Sequence, residues 1–177
     1  TFGIGRLPGE EHTRIVADLT DGDFANLPIR SARMVGSLLG GVLSVDTAQV
    51  RTAAARLAAR GTFGVDSAST GALRIRASGD SLHALAPMLG LSDTLMAGAG
   101  DFDGVLEGNT HALRLHGSGR LGVGNISVYA ATDARYSGTM LWRRGSRPAA
   151  EFEVDARGAR FADRRLGELD LAISIDP

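Results

Sequence analysis

The chain has no cysteine, and only 5% of its 177 residues are aromatic. Without cysteine there is no disulfide framework, no iron–sulfur cluster and no thiol nucleophile. Lysine is also missing, so the 19 positive charges are all arginine and face 20 aspartates and glutamates. A net charge of −1 lacks the basic surplus that nucleic-acid phosphates require, so no nucleic-acid partner is expected. No apolar run approaches the roughly 18–20 residues that cross a membrane as a helix. The opening, Thr1-Phe2-Gly3-Ile4-Gly5-Arg6-Leu7-Pro8-Gly9-Glu10-Glu11, reads as the interior of a longer protein. We therefore treat 1–177 as a single repetitive β region, an internal fragment with a candidate sub-boundary near 90–100.

Glycine is abundant: its 24 residues are about twice the ordinary share. It punctuates short runs that alternate between apolar and polar residues. In Ala112–Val123, Leu113, Leu115, Leu121 and Val123 occupy odd positions, while Arg114, His116, Ser118 and Arg120 occupy even ones. A period of two puts one set on each face of a strand. The same phase marks Leu57, Phe63 and Val65, then Leu73 and Ile75, then Leu169, Leu171 and Ile173. The spacing predicts strands over 13–20, 30–39, 42–52, 54–65, 71–78, 102–107, 110–119, 119–132, 134–143, 149–156 and 166–176. Turn signals fall between them, among them Asp21-Gly22-Asp23, Gly40-Gly41, Asp66-Ser67-Ala68-Ser69 and Glu107-Gly108-Asn109. One short helix is predicted near 81–89, where Asp80-Ser81 caps, Leu82, Leu85, Met88 and Leu89 carry the spacing, and Gly90 closes. The alanine-rich stretch 50–61 has helix propensity, but its odd-position phase through Leu57, Ala59 and Phe63 favours a strand. Approximate repeats relate 71–80 to 167–176 and 60–65 to 116–123.

Chemical motifs are sparse. Gly98-Ala99-Gly100-Asp101-Phe102-Asp103-Gly104 lacks the preceding strand and following helix of a dinucleotide fingerprint. Asp101 and Asp103 lack the downstream acceptors of a calcium loop. His12, His83, His111 and His116 show no metal-ligand spacing, and no serine sits in a nucleophile elbow. The pattern gives no catalytic residue, no cofactor and no metal. Arg74, Arg76, Arg114 and Arg120 read either as a phosphate-binding surface or as a solvated face that blunts strand edges. Trp142 and Met140 share a face and read as core or rim.

What remains is the apolar set. Its members are aliphatic rather than aromatic, which suits an interior open to flexible acyl chains and also a tightly curved sheet packed with small residues. The runs Leu57–Val65 and Gly71–Leu82, followed by the segment ending Ala86-Pro87-Met88-Leu89-Gly90, resemble the repetitive interior of TamB-type, AsmA-like proteins. The resemblance implies a curled antiparallel sheet, the β-taco, with an apolar concave face. It implies a periplasmic location, with the parent chain anchored in the inner membrane of a Gram-negative cell. It implies a role in phospholipid transport or in outer-membrane protein assembly. Its partners would be phospholipid acyl chains and, through regions outside this chain, an outer-membrane barrel assembly protein. Leu57, Phe63, Val65, Leu73, Ile75, Leu113, Leu115, Leu121, Val123, Leu169, Leu171 and Ile173 would then line the groove. A two-sheet sandwich or a solenoid doing structural or adhesive work outside the cytoplasm is the alternative.

Overall fold

A computed structural model describes residues 2–6, 13–24, 27–80, 97–126, 129–162 and 164–176. These form β1 (Phe2–Arg6), β2 (Thr13–Phe24), β3 (Leu27–Leu39), β4 (Val42–Thr52), β5 (Ala55–Gly64) and β6 (Gly71–Gly79). The remainder are β7 (Ala97–Gly108), β8 (Ala112–Ile126), β9 (Tyr129–Ala131), β10 (Asp133–Arg143), β11 (Ala149–Phe161) and β12 (Arg164–Ile175). All belong to one antiparallel sheet whose order follows the chain from β1 to β8 and then β10, β11 and β12.

The short strand β9 does not break that order. Ala130 opposes Asn125 and Ala134 opposes Leu121, so β9 and β10 hold one register against β8. They hold one register against β11 as well, with Ala130 opposite Arg160 and Ala134 opposite Ala156. They are one strand interrupted at Thr132, whose N–H and hydroxyl both donate to the Arg157 carbonyl at 3.1 Å. The result is an up-and-down meander of eleven ladder positions. Among the described residues its outer edges, on β1 and β12, carry no ladder partner. Among the described residues the strands form this one sheet, with no second sheet.

Local chemistry makes the turns. Gly40 and Gly41 take φ values of 53° and 76°, the primed geometry that matches strand twist in a two-residue hairpin, and Leu39 pairs with Val42 across it. The Thr52 hydroxyl accepts from the N–H groups of Ala54 (3.2 Å) and Ala55 (2.9 Å) to turn β4 into β5. Asp66 Oδ1 accepts from Ala68 and Ser69 N–H at 3.0 and 2.7 Å, an Asx turn. These turns interlock at one end of the sheet. Ser69 Oγ donates to the Gly41 carbonyl at 2.6 Å. Asn109 Nδ2 donates to the Ser69 carbonyl at 2.9 Å, and Asn109 Oδ1 accepts from His111 and Ala112 N–H at 2.9 and 3.1 Å. Ser69 and Asn109 are the buried polar residues of the described set.

The strands depart from the sequence expectations in informative places. The break expected at Gly119 is absent, and β8 runs unbroken through it. The turn expected at Asp21-Gly22-Asp23 is a kink inside β2, with Asp21 at φ 51°. The stretch 50–61 is strand on either side of the turn at Ala53-Ala54, as its phase indicated. In β4, Asp46 is an extra residue: Val45 opposes Gly36 while Thr47 opposes Val35. This bulge switches the strand's phase, so Val45 and Ala48 both belong to the same series of cross-strand pairs. Gly79 opposes Gly100, so the ladder is continuous across the candidate sub-boundary. The helix expected near 81–89 lies outside the described residues.

Buried positions are few and small. Ala134, Ala156 and Ala159 form a cluster shaded by Leu121, Val154 and Leu169, and among the described residues no large side chain is fully buried. A compact chain of 18.4 kDa exposes about 8,200 Å². This one exposes 11,697 Å². Substantial packing runs between ladder neighbours, as expected of a single layer.

Candidate functional site

Directly opposed residues of an antiparallel pair put their side chains on the same face. Following the register across the sheet therefore sorts the expected groove residues. Leu73 opposes Leu106, Leu106 opposes Leu115, Leu115 opposes Met140, Met140 opposes Ala150, and Ala150 opposes Ile175. The next row runs Ile75, Gly104, Gly117, Gly138, Phe152 and Ile173. The third runs Leu57, Ala77, Phe102, Gly119, Tyr136, Val154 and Leu171. The fourth joins Leu121 to Ala134, Ala156 and Leu169. Leu113 opposes both Gly108 and Trp142.

Nine of the twelve expected residues thus fall into these rows. Phe63 opposes Leu43 and follows, at the two-residue period, Gly61, which opposes Leu73. Val65 lies beyond the end of β5, exposed in the turn, and its N–H donates to the Gly41 carbonyl at 2.9 Å. The ladder ends at Gly64 opposite Val42, one residue short of the expected strand end. Val123 belongs to β8, and its side chain lies outside the described set.

The rows contain residues that odd-position counting overlooked: Phe102, Leu106, Tyr136, Met140, Phe152 and Val154. All six are even-numbered because phase is not preserved through a connection. Even positions of β10 and β11 oppose odd positions of β8 and β12. The alternation Ala134, Tyr136, Gly138, Met140, Trp142 was the signal that would have found several of them.

Glycine has a packing role inside these rows. A Cβ on Gly138 would run into the Phe152 ring, and one on Gly117 would sit 2.7 Å from Phe102. A Cβ on Gly119 would meet the Asp101 carbonyl and the Tyr136 phenol. Rings therefore lie close over bare backbone, the arrangement by which aromatics cover glycine in a sheet. Phe102 and Tyr136 stack across Gly119, with centroids 6.5 Å apart and planes 7° apart. Tyr136 donates its hydroxyl to the Asp101 carbonyl at 2.8 Å, and burial pushes its pKa up to about 12.

Burial of the large aliphatic side chains within the rows is intermediate and falls towards the β12 edge. Leu57, Phe63, Leu73, Ile75, Leu113, Leu115, Leu121 and Leu169 are half-buried, whereas Leu171, Ile173 and Ile175 are 40, 44 and 52% exposed. Identical residues on opposite faces make the comparison clean: Ala59 and Ala77 in the rows are half-buried, and Ala58 and Ala72 between them are exposed.

The intervening positions are mostly polar. Arg74 donates to Asp103 from Nε (3.1 Å) and Nη2 (2.9 Å), and Arg76 Nε donates to the same carboxylate at 2.9 Å. The hydrogen bond from Arg74 is the main cause that holds the Asp103 carboxyl below the usual carboxylate range. Among the described residues no three histidines or acids gather as metal ligands.

No family model, curated protein or solved structure matches this chain. The functional reading therefore rests on residues and geometry.

Proposed function

We propose that this chain is a segment of a periplasm-spanning protein whose apolar sheet face shields phospholipid acyl chains in transit between membranes. One observation carries the proposal. Aliphatic side chains recur in consecutive cross-strand rows from β6 to β12, yet none of the large ones is fully buried. A sheet that keeps such a face without covering it has a use for it.

The dimensions fit. A row crossing six strands spans about 24 Å at 4.8 Å per strand. One leaflet's acyl chains span about half of a ~30 Å hydrocarbon core. Moving a ~16-carbon chain through water would cost on the order of 13 kcal/mol at about 0.8 kcal/mol per CH₂. A continuous aliphatic surface removes most of that cost with no catalytic group. In this reading the apolar face is the inside of a curled, β-taco-like sheet, which would account for the greater burial of Ala59 and Ala77 than of Ala58 and Ala72. The unpartnered β12 edge, with exposed Leu171, Ile173 and Ile175, also suits guidance of an outer-membrane strand during assembly.

The test is lipid extraction from the purified chain followed by mass spectrometry. Wild type carries phospholipid and Leu115→Arg carries much less. Equal lipid on both, or none on wild type, removes the basis of the proposal.

A further inference from the structure

The polar face holds a second feature, independent of the acyl-chain reading. Over β4–β7 there is an open depression of about 460 Å³. Its lining is two cross-strand rows with one row between them. The first row is Arg51, Arg56, Ser78 and Asp101, and the second is Gln49, Ala58, Arg76 and Asp103. The row between, Val50, Leu57, Ala77 and Phe102, belongs to the apolar face. Its side chains leave on the other side of the sheet, so the floor of the depression is backbone.

Several arginines of the sheet are set opposite acids: Arg33 faces Asp18, Arg114 faces Glu107, and Arg157 faces both Asp133 and Glu168. Arg60 opposes Arg74 and Arg160 opposes Arg165, and of these Arg74 is held by Asp103. Arg120 and Arg135 oppose each other, but each has an acid on its other side, Asp101 and Asp155. Arg51 instead opposes Arg56, with Ser31 and Ser78 on their outer flanks. Like charges directly opposed destabilise a sheet. Asp103, the carboxylate nearest in the second row, is already held by Arg74 and Arg76. Arg51 and Arg56 make no ion pair with any described residue.

We propose that this depression is an anion site in which Arg51 and Arg56 bind a phosphate group. Two guanidinium forks present donors in the planar pairs that match phosphate oxygens. Gln49 and Ser78 line the same depression and supply neutral donors. The volume is that of a small-molecule site. Binding turns a repulsive arginine pair into a bridged one, which explains why the pair is kept without an acid. The phosphate is that of a soluble ester or of a lipid headgroup lying against the polar side, and not the headgroup of a lipid whose tails occupy the opposite face.

The test titrates the chain, at constant ionic strength, with inorganic phosphate, glycerol phosphate and phosphatidylglycerol vesicles, following arginine Nε–H resonances and the thermal midpoint. Saturable binding is expected, with wild type stabilised by phosphate. Arg51→Gln/Arg56→Gln weakens binding by about tenfold or more, the scale of a lost charge-assisted contact, and is itself more thermostable in phosphate-free buffer. Arg51→Lys keeps the charge, loses the fork and binds several-fold more weakly. Arg160→Gln/Arg165→Gln is the control: these arginines also oppose each other but do not line this depression. Binding of the soluble phosphates alone assigns the site to a soluble ester, and binding of the vesicles as well assigns it to a headgroup. Either supports the proposal. Equal weakening in the control pair, non-saturable shifts, or unchanged binding in Arg51→Gln/Arg56→Gln overturns it. Leu115→Arg leaves phosphate binding intact, so failure of the acyl-chain reading is read separately.

Discussion

Replacing Leu115 with alanine distinguishes an open apolar face from a covered one. Leu115 sits between Leu106 and Met140 in the first row and is half-buried. The change removes three carbons, worth about 2.4 kcal/mol if all were fully buried, at about 0.8 kcal/mol each. Half-burial lowers this to about 1.2 kcal/mol. An enclosed core would add a cavity term, which brings such substitutions to about 2.7–5.0 kcal/mol. On a single layer there is no enclosure, so no cavity forms and the term vanishes. Urea denaturation of wild type and Leu115→Ala should therefore differ by about 1–1.5 kcal/mol with an unchanged m-value. A loss above about 3 kcal/mol would mean that the face is sealed by another layer, and the reasoning from single-layer geometry would fail.

Two other consequences are measurable. Asn109→Ala removes three hydrogen bonds that tie the turn after β7 to Ser69, His111 and Ala112. At about 1 kcal/mol each the cost is about 2–3 kcal/mol, or a fall of roughly 5–10 °C in the thermal midpoint; an unchanged midpoint would show that the interlocked turns do not hold the sheet end. Tyr136 has its pKa raised to about 12 by burial, so the folded state resists its ionisation. Its contribution to stability is whole below pH 10, the ordinary tyrosine value, and is lost as the pH rises towards 12. The phenolate absorbance of wild type minus that of Tyr136→Phe should titrate near 12, and a midpoint near the ordinary value would contradict the half-buried, hydrogen-bonded hydroxyl.

Much of this fold is legible in the residues because strand periodicity is a local property. The boundaries of β4 are those expected, and β6 differs by one residue, since alternation and flanking turn residues mark both. Three features were not legible. Gly119 reads as a break, yet it is the gap over which Phe102 and Tyr136 stack, and a gap of that kind is defined by neighbouring strands. The bulge at Asp46 and the parity change between β8 and β10 depend on register, which no single strand encodes. Most of the expected groove residues nevertheless fall into shared rows, because each strand's own alternation selects its face. Arg74 and Arg76 were singled out from the sequence. The more consequential pair, Arg51 and Arg56, appears only when β4 is laid against β5.

The central claim concerns what touches the apolar face, and a photocrosslinking residue placed at Leu115 asks that directly in cells. The account predicts crosslinks to phospholipid acyl chains, identified by mass spectrometry and lost when Leu106 and Met140, its neighbours in the row, are replaced by charged residues. Crosslinks confined to protein, or none at all, would contradict it.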